Sequence, residues 1–179
     1  MVYTVFGTSA VIGLNIRVQL KMLKNCVPPG FLNREMDDLG CGDGKITDCL
    51  KEVFQPRRVR GFDIYPALVK RARDRGIQAE IMDLETGLPK GELAVMWGVL
   101  HHLKDPETCL KRISENYAMI FIREPIRNTP VKGLEMGEPL VKTQIEDWIT
   151  AYFPGAHFFY QGHCIFIFYT RKTADPSRQ

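Results

Sequence analysis

The sequence predicts an α/β fold: a doubly wound, mostly parallel seven-stranded sheet with an antiparallel last strand, layered α/β/α. Three observations carry this. Between residues 35 and 123 short apolar runs alternate with amphipathic stretches, the order of βαβ units. A glycine-rich segment, Gly40-Cys41-Gly42-Asp43-Gly44, follows the first of those runs and opens a helix. Near the end, the β-rich runs His157–Gln161 and Cys164–Thr170 are separated only by Gly162-His163, which reads as a hairpin and reverses one strand.

The elements follow in order. The first sixteen residues carry no charged side chain, but the basic residues come after the apolar run rather than before it, and Thr4, Thr8, Ser9 and Asn15 interrupt it. That argues against a leader peptide, and the run is shorter than the ~20 residues a membrane span needs. A buried segment leading into a helix is expected instead. From about Leu14 a helical stripe places Leu14, Val18 and Met22 on one face and Arg17, Lys21 and Lys24 on the other. Cys26-Val27-Pro28-Pro29-Gly30 ends that helix. Strands are expected near 35–39, 58–62, 77–82, 93–98 and 117–123, then the hairpin. Helices are expected near 44–54, 66–75, 105–116 and 140–153. Asp105-Pro106 is a good helix start, an N-cap followed by proline in the first position. The expected organisation is an N-terminal segment and helix over 1–30, the main domain over 31–172, and a polar tail over 173–179.

Composition narrows the class of protein. With 179 residues, 45% apolar and 25% charged, the chain is sized for one domain with a real core. Wholly disordered, collagen-like and disulfide-framework proteins are excluded. The formal charge of +3 is too weak to imply nucleic acid by itself. Cys26, Cys41, Cys49, Cys109 and Cys164 are odd in number and lack paired metal spacing, so no metal site and a reducing, cytoplasmic setting are expected.

The strongest motif is Asp38-Leu39-Gly40-Cys41-Gly42-Asp43-Gly44. Glycines let the backbone turn sharply and approach a ligand, and the helix N-terminus beyond favours an anionic group. Dinucleotide binders carry a third glycine where Lys45 stands, and a phosphate-cradling P-loop needs a hydroxyl where Ile46 stands. Both nucleotide readings weaken.

The segment resembles the loop of the class I, Rossmann-like S-adenosylmethionine-dependent methyltransferases, and the resemblance spans roughly residues 35–123. Three further stations follow in the family's order: Gly61-Phe62-Asp63-Ile64, Ile81-Met82-Asp83-Leu84, and Val99-Leu100-His101-His102-Leu103. The resemblance implies S-adenosylmethionine as cofactor. It implies binding by Asp38, Gly40, Cys41, Gly42 and Gly44 of the loop. Asp63, beside Ile64, would accept from the ribose hydroxyls, Asp83 and Leu84 would lie by the adenine, and backbone at Met96 and Trp97 would face the methionine moiety. Other roles stay open: Asp63 as the cap of the turn before Pro66, and Asp83 as an ordinary strand-end turn residue. His101 and His102 read as base, substrate contact or loop filling. Adjacent side chains are expected to point apart, which argues against their chelating one metal. Cys41 reads as a small loop residue rather than a nucleophile.

One position departs from the family's pattern. Asp37 stands where a central parallel strand normally buries a branched apolar residue. Unpaired, such a carboxylate costs several kcal/mol or takes up a proton, so either it finds a donor or the strand is frayed there. Glu92, where relatives often carry Asp, is a milder departure.

The expected activity is methyl transfer to a small-molecule acceptor by in-line displacement. The alternatives are a non-catalytic cofactor-binding or partner-regulating module, a methyltransferase acting on RNA or protein, and a nicotinamide oxidoreductase, which Lys45 disfavours. Catalytic groups are less legible: His101, His102 and Glu124 are the candidates, with Arg127 a further polar residue and Tyr3 and Phe6 either lid or core. Arg57, Arg58, Arg60, Lys70, Arg71, Arg73 and Arg75 form a basic run that reads as a solvated face rather than a nucleic-acid surface. The basic segment 14–26 keeps a membrane surface in view without favouring it.

Overall fold

In the computed structural model, residues 9–126 and 140–171 are described, with side chains from Asn15 onward. Tyr3, Phe6, Arg127 and the 173–179 tail lie outside the described residues, as does the side chain of Leu14. The chain runs α1 (Ser9–Cys26), β1 (Glu35–Leu39), α2 (Lys45–Phe54), β2 (Arg58–Asp63), α3 (Pro66–Asp74), β3 (Gln78–Ile81) and β4 (Gly91–Trp97). It continues through α4 (Pro106–Asn116), β5 (Tyr117–Pro125), α5 (Lys142–Tyr152), β6 (His157–Gln161) and β7 (Cys164–Thr170). The strands form one seven-stranded sheet in the order β3-β2-β1-β4-β5-β7-β6. β7 is antiparallel to both β5 and β6, and the other pairings are parallel. The order reverses between β1 and β4, and in open α/β sheets the crevice at the carboxyl ends of the strands beside such a switch point is where ligands bind.

Each face of the sheet is covered. Leu39, Ala94, Met96, Ile120, Ile122, Ile165 and Ile167 pack with Leu110 and Ile113 of α4 and Ile145 and Ile149 of α5. Met36, Leu93, Val95, Phe121, Phe166 and Phe168 pack with Leu23 of α1 and Leu50, Val53 and Phe54 of α2. Each fully buried Leu, Ile or Phe contributes roughly 1.5–3 kcal/mol, so two such layers hold the strand ends rigidly. Asp105 caps α4 as expected, accepting from Thr108 N at 3.0 Å, with Pro106 in the first helical position.

α1 differs from its sequence pattern. It starts at Ser9, and Val18 is 49% exposed, whereas Gln19 and Leu23 are buried. The helix is turned so that a polar residue faces inward: Gln19 meets Arg123 Nε at 3.0 Å, a partner that helical periodicity does not count.

Asp37 finds its donors. Arg60 of β2 grips it with two hydrogen bonds, 2.8 and 2.6 Å, and Tyr117 OH donates at 2.8 Å. Burial, then the charge of Asp37, push the Tyr117 hydroxyl pKa up, so it stays a neutral donor. Gly91 makes the room, since a Cβ there would lie 2.6 Å from Asp37 Oδ2 and 2.7 Å from Tyr117 Cε1. Glu92 is likewise bound, by Arg34 at 2.7 Å and Arg57 at 2.9 Å.

The basic run is scattered by the fold. Arg60 turns inward, Arg57 pairs with Glu92, Arg73 donates to Ala79 O at 2.7 Å, and Lys70 pairs with Asp74. Lys51, Arg71 and Arg73 stand in the last turns of α2 and α3, where they offset the negative helix ends.

Candidate active site

The glycine loop leaves β1 and turns into α2. Gly40 N and Cys41 N both donate to Phe62 O, at 2.7 and 3.0 Å, which ties the loop to β2. Gly40, Gly42 and Gly44 all have positive φ (83°, 55° and 83°). Their surroundings differ. A Cβ on Gly40 would strike Val99 Cγ2 at 2.5 Å, and one on Gly44 would strike Ile77. A Cβ on Gly42 would meet nothing within 4 Å. Gly40 and Gly44 are bare because the protein packs against them; Gly42 is bare toward open space, as a cradle for a ligand requires.

Three carboxylates surround this loop. Asp63, at the end of β2, accepts from Gly42 N at 2.8 Å and from Tyr65 N at 2.9 Å. One oxygen thus holds the loop and the other caps its own turn, and each keeps a lone pair for a further donor. Asp38 is buried, accepts from Thr47 Oγ1 at 2.6 Å, and is pushed up to about 7 by burial, with the nearby Asp63 charge adding to it. Asp43 is held below the usual carboxylate range by Lys45, against a smaller opposing loss of solvent than Asp38 suffers. Cys41 lies buried against Gly61, its thiol pushed up to about 12 by burial and the Asp38 and Asp63 charges, and so is no nucleophile at neutral pH.

The Ile81–Leu84 segment lies next to this. Met82 N donates to Asp63 O at 3.0 Å, and Asp83 forms a turn of its own, accepting from Glu85 N at 2.9 Å. Leu84 is buried, while Ile64, Tyr65 and Ile81 are 51%, 64% and 56% exposed around the ends of β2 and β3. An apolar rim beside paired acids suits a purine ring and its sugar.

At the ends of β4 and β5 the arrangement is tighter than sequence suggests. Met96 is fully buried, and Trp97 lies partly buried with the Arg123 guanidinium 5.3 Å from its ring centroid. Glu124 has no exposed surface; its Oε1 accepts from Val99 N and Leu100 N at 2.5 and 2.7 Å, and its Oε2 meets His101 Nδ1 at 2.8 Å. Glu124 therefore positions the loop after β4 and is enclosed from any acceptor. The two histidines do not diverge: the 3₁₀ turn Leu100–His102 brings their ring centroids to 4.0 Å, tilted by 39°. Loss of solvent and the His101 ring hold His102 below the ordinary imidazole value, while the Glu124 and Asp63 charges oppose that shift. Among the described residues, no group of three or more His, Cys, Asp or Glu is placed to hold a metal ion, and no helix is long and apolar enough to cross a membrane.

Sequence reasoning missed Gln19, Arg123 and Glu85. For Arg123 a signal existed: the apolar run Met119–Ile122 breaks into the charged pair Arg123-Glu124 at a buried strand end. For Gln19 and Glu85 no local pattern marks the distant partner.

A strand order of this kind, with a glycine loop at its switch point and an acid ending the next strand, is that of a Rossmann-like α/β domain. Residues 38–115 match the family model described as a methyltransferase domain. An uncharacterised methyltransferase of Schizosaccharomyces pombe is 33% identical over 97 residues, 54% of this chain and 32% of that protein. Trans-aconitate 2-methyltransferase of Mycobacterium ulcerans is 38% identical over 63 residues, 35% of this chain and 24% of that protein. The chain thus spans about a third or less of the length of these curated relatives. Among solved structures, magnesium protoporphyrin IX methyltransferase from Synechocystis PCC 6803 with bound SAH superposes with a TM-score of 0.72 at 14% identity, over 96% of this chain and 90% of that one. Residues 38–115 thus match a methyltransferase domain, and the chain shares its fold with a solved methyltransferase that holds SAH.

Proposed function

We propose that the protein transfers a methyl group from S-adenosylmethionine to a small-molecule acceptor. The observation that carries this reading is the open face of Gly42 beside Asp63, whose two oxygens are fixed by Gly42 N and Tyr65 N with acceptor capacity to spare. Asp63 would take the ribose hydroxyls, the Gly40–Gly44 backbone would lie against the amino-acid moiety, and Asp38 would face its positive charge. Ile64, Asp83 and Leu84 would border the adenine. When bound, the cofactor supplies an electrophilic methyl carbon on a sulfonium. The chain's own contribution is to hold the acceptor in line, roughly 3 Å from that carbon, and to exclude water.

A hydroxyl or amine acceptor must also lose a proton. His101 is the residue oriented for this, because Glu124 fixes its Nδ1 and leaves the other ring nitrogen as the base; His102 stacks beside it at the mouth of the crevice. Relatives named trans-aconitate 2-methyltransferase support a small acceptor over a macromolecular one.

The test combines binding with turnover. Calorimetry should show Asp63→Ala losing about 1–3 kcal/mol of S-adenosylmethionine affinity, the scale of hydrogen bonds to a charged group. Labelled cofactor with a fractionated small-metabolite pool should yield labelled product, and His101→Ala should slow its formation without changing cofactor affinity. Unchanged affinity in Asp63→Ala refutes the site; tight binding with no labelled product favours a binding module.

A further inference from the structure

We propose that Glu85 is a positioning residue that locks the adenine-side turn to the loop carrying His101 and His102, so that the two walls of the cofactor crevice keep one spacing. The inference rests on the proposed placing of Asp83 beside the adenine, where its carboxylate would accept from the amino group.

Glu85 works in both directions from one position. Its backbone N–H donates to Asp83 Oδ1 at 2.9 Å, and Asp83 O accepts from Thr86 N and Gly87 N at 3.1 and 3.0 Å, which closes the turn. Its side chain leaves that turn: Oε1 accepts from Lys104 N at 2.6 Å and from Asp105 N at 3.2 Å. These are consecutive amides between the histidine turn and α4, and Asp105 is itself the cap of that helix. Arg112 of α4 completes the clamp, its Nη1 donating to Glu85 O at 2.5 Å.

The far side of the clamp leads to the acceptor station within two residues. Leu103 N donates to Leu100 O at 3.1 Å and His102 N to Val99 O at 3.0 Å, while Glu124 holds the start of the same turn through Val99 N and Leu100 N. The loop after β4 is thus pinned at one end by Glu124 and at the other by Glu85. A carboxylate accepting from two successive amides fixes two peptide planes, and charge-assisted bonds of this kind exceed neutral ones in strength. Freed from it, the Asp83 turn keeps its internal hydrogen bonds but loses its fixed distance from His102.

The experiment compares S-adenosylhomocysteine with its 6-oxo analogue, S-inosylhomocysteine, which lacks the amino donor. The wild type should prefer the 6-amino compound. Glu85→Ala should lose most of that preference, about tenfold on the scale of hydrogen bonds to a charged group, and Glu85→Asp, which keeps the charge but shortens the reach, should lose it too. Glu85→Gln retains an acceptor oxygen at the same place and should keep most of it. Thermal midpoints without ligand accompany each variant. Equal weakening toward both compounds in Glu85→Ala and Glu85→Asp, or wild-type preference in either, overturns the positioning role. Asp83→Ala separates the two layers: if it leaves the preference intact, the adenine reading of Asp83 falls and this inference with it; if it abolishes the preference while both Glu85 variants keep it, only the Glu85 role falls.

Discussion

Asp38 lies buried beneath the glycine loop, a carboxylate whose proton is held near neutrality. Burial raises it to about 7, the Asp63 charge adds to the shift, and the Thr47 hydrogen bond opposes it. Because the folded form binds a proton that an unfolded carboxylate has shed by about pH 4, this residue's contribution to stability is complete below that pH. It is lost as pH rises toward 7. The cofactor's positive charge favours the ionised form, so binding runs the other way. Calorimetry across pH 6 to 8 should show S-adenosylmethionine affinity rising with pH, and Asp38→Asn should flatten the rise. His102, whose pKa is lowered by loss of solvent and the His101 ring, is unchanged in Asp38→Asn and so cannot mimic the difference between the two proteins. At this scale Asp63 and Asp83 were legible because one ends β2 and the other follows β3 by two residues, and the caps they form were legible as turns. Asp38's protonation was not, since it depends on burial by α2 and on a second acid from β2.

At the scale of the element, the loop between β1 and α2 shows one motif with two different reasons for glycine. Gly40→Ala should destabilise the fold by about 1–3 kcal/mol in urea unfolding, because the new methyl overlaps Val99 across the sheet. Gly42→Val should cost about 1–2 kcal/mol from its positive φ, leave the fold intact, and abolish binding of S-adenosylhomocysteine, because its side chain enters the crevice. Wild-type affinity for S-adenosylhomocysteine in Gly42→Val would contradict the distinction. Spacing alone could mark the loop, but not which glycine faces open space, since Val99 lies in a different βαβ unit. α1 teaches the same lesson. Its periodicity pointed to Val18 as buried, and the tertiary contact of Gln19 with Arg123 turned the helix away from that stripe.

Across the whole molecule, four strands meet at Asp37, Arg60, Gly91 and Tyr117, and the last two begin β4 and β5, at the end of the sheet opposite the glycine loop. Removing one partner of a buried pair strands a charge, so Arg60→Leu should lose about 3–5 kcal/mol of unfolding free energy. The double variant Asp37→Val with Arg60→Leu should recover most of that, since the position then holds the branched apolar residue a parallel strand prefers. A double variant as unstable as the single would show the cluster to be worth more than its replacement. The strand at 35–39 is therefore neither short nor frayed; its acid is neutralised from β2 and β5.

The sequence by itself determined the alternation of strands and helices, the glycine turn, the two acids at or just past strand ends and the reversed strand after Gly162, because these signals reside in residues close along the chain. Only the tertiary structure decided which polar groups satisfy one another. Asp37 takes a hydroxyl from a residue 80 positions away, Glu124 reaches back 25 to the loop after β4, and Glu85 reaches forward 19 to the start of α4. Such pairings are set by the order of strands in the sheet and by what each face excludes from water, and a local pattern carries neither.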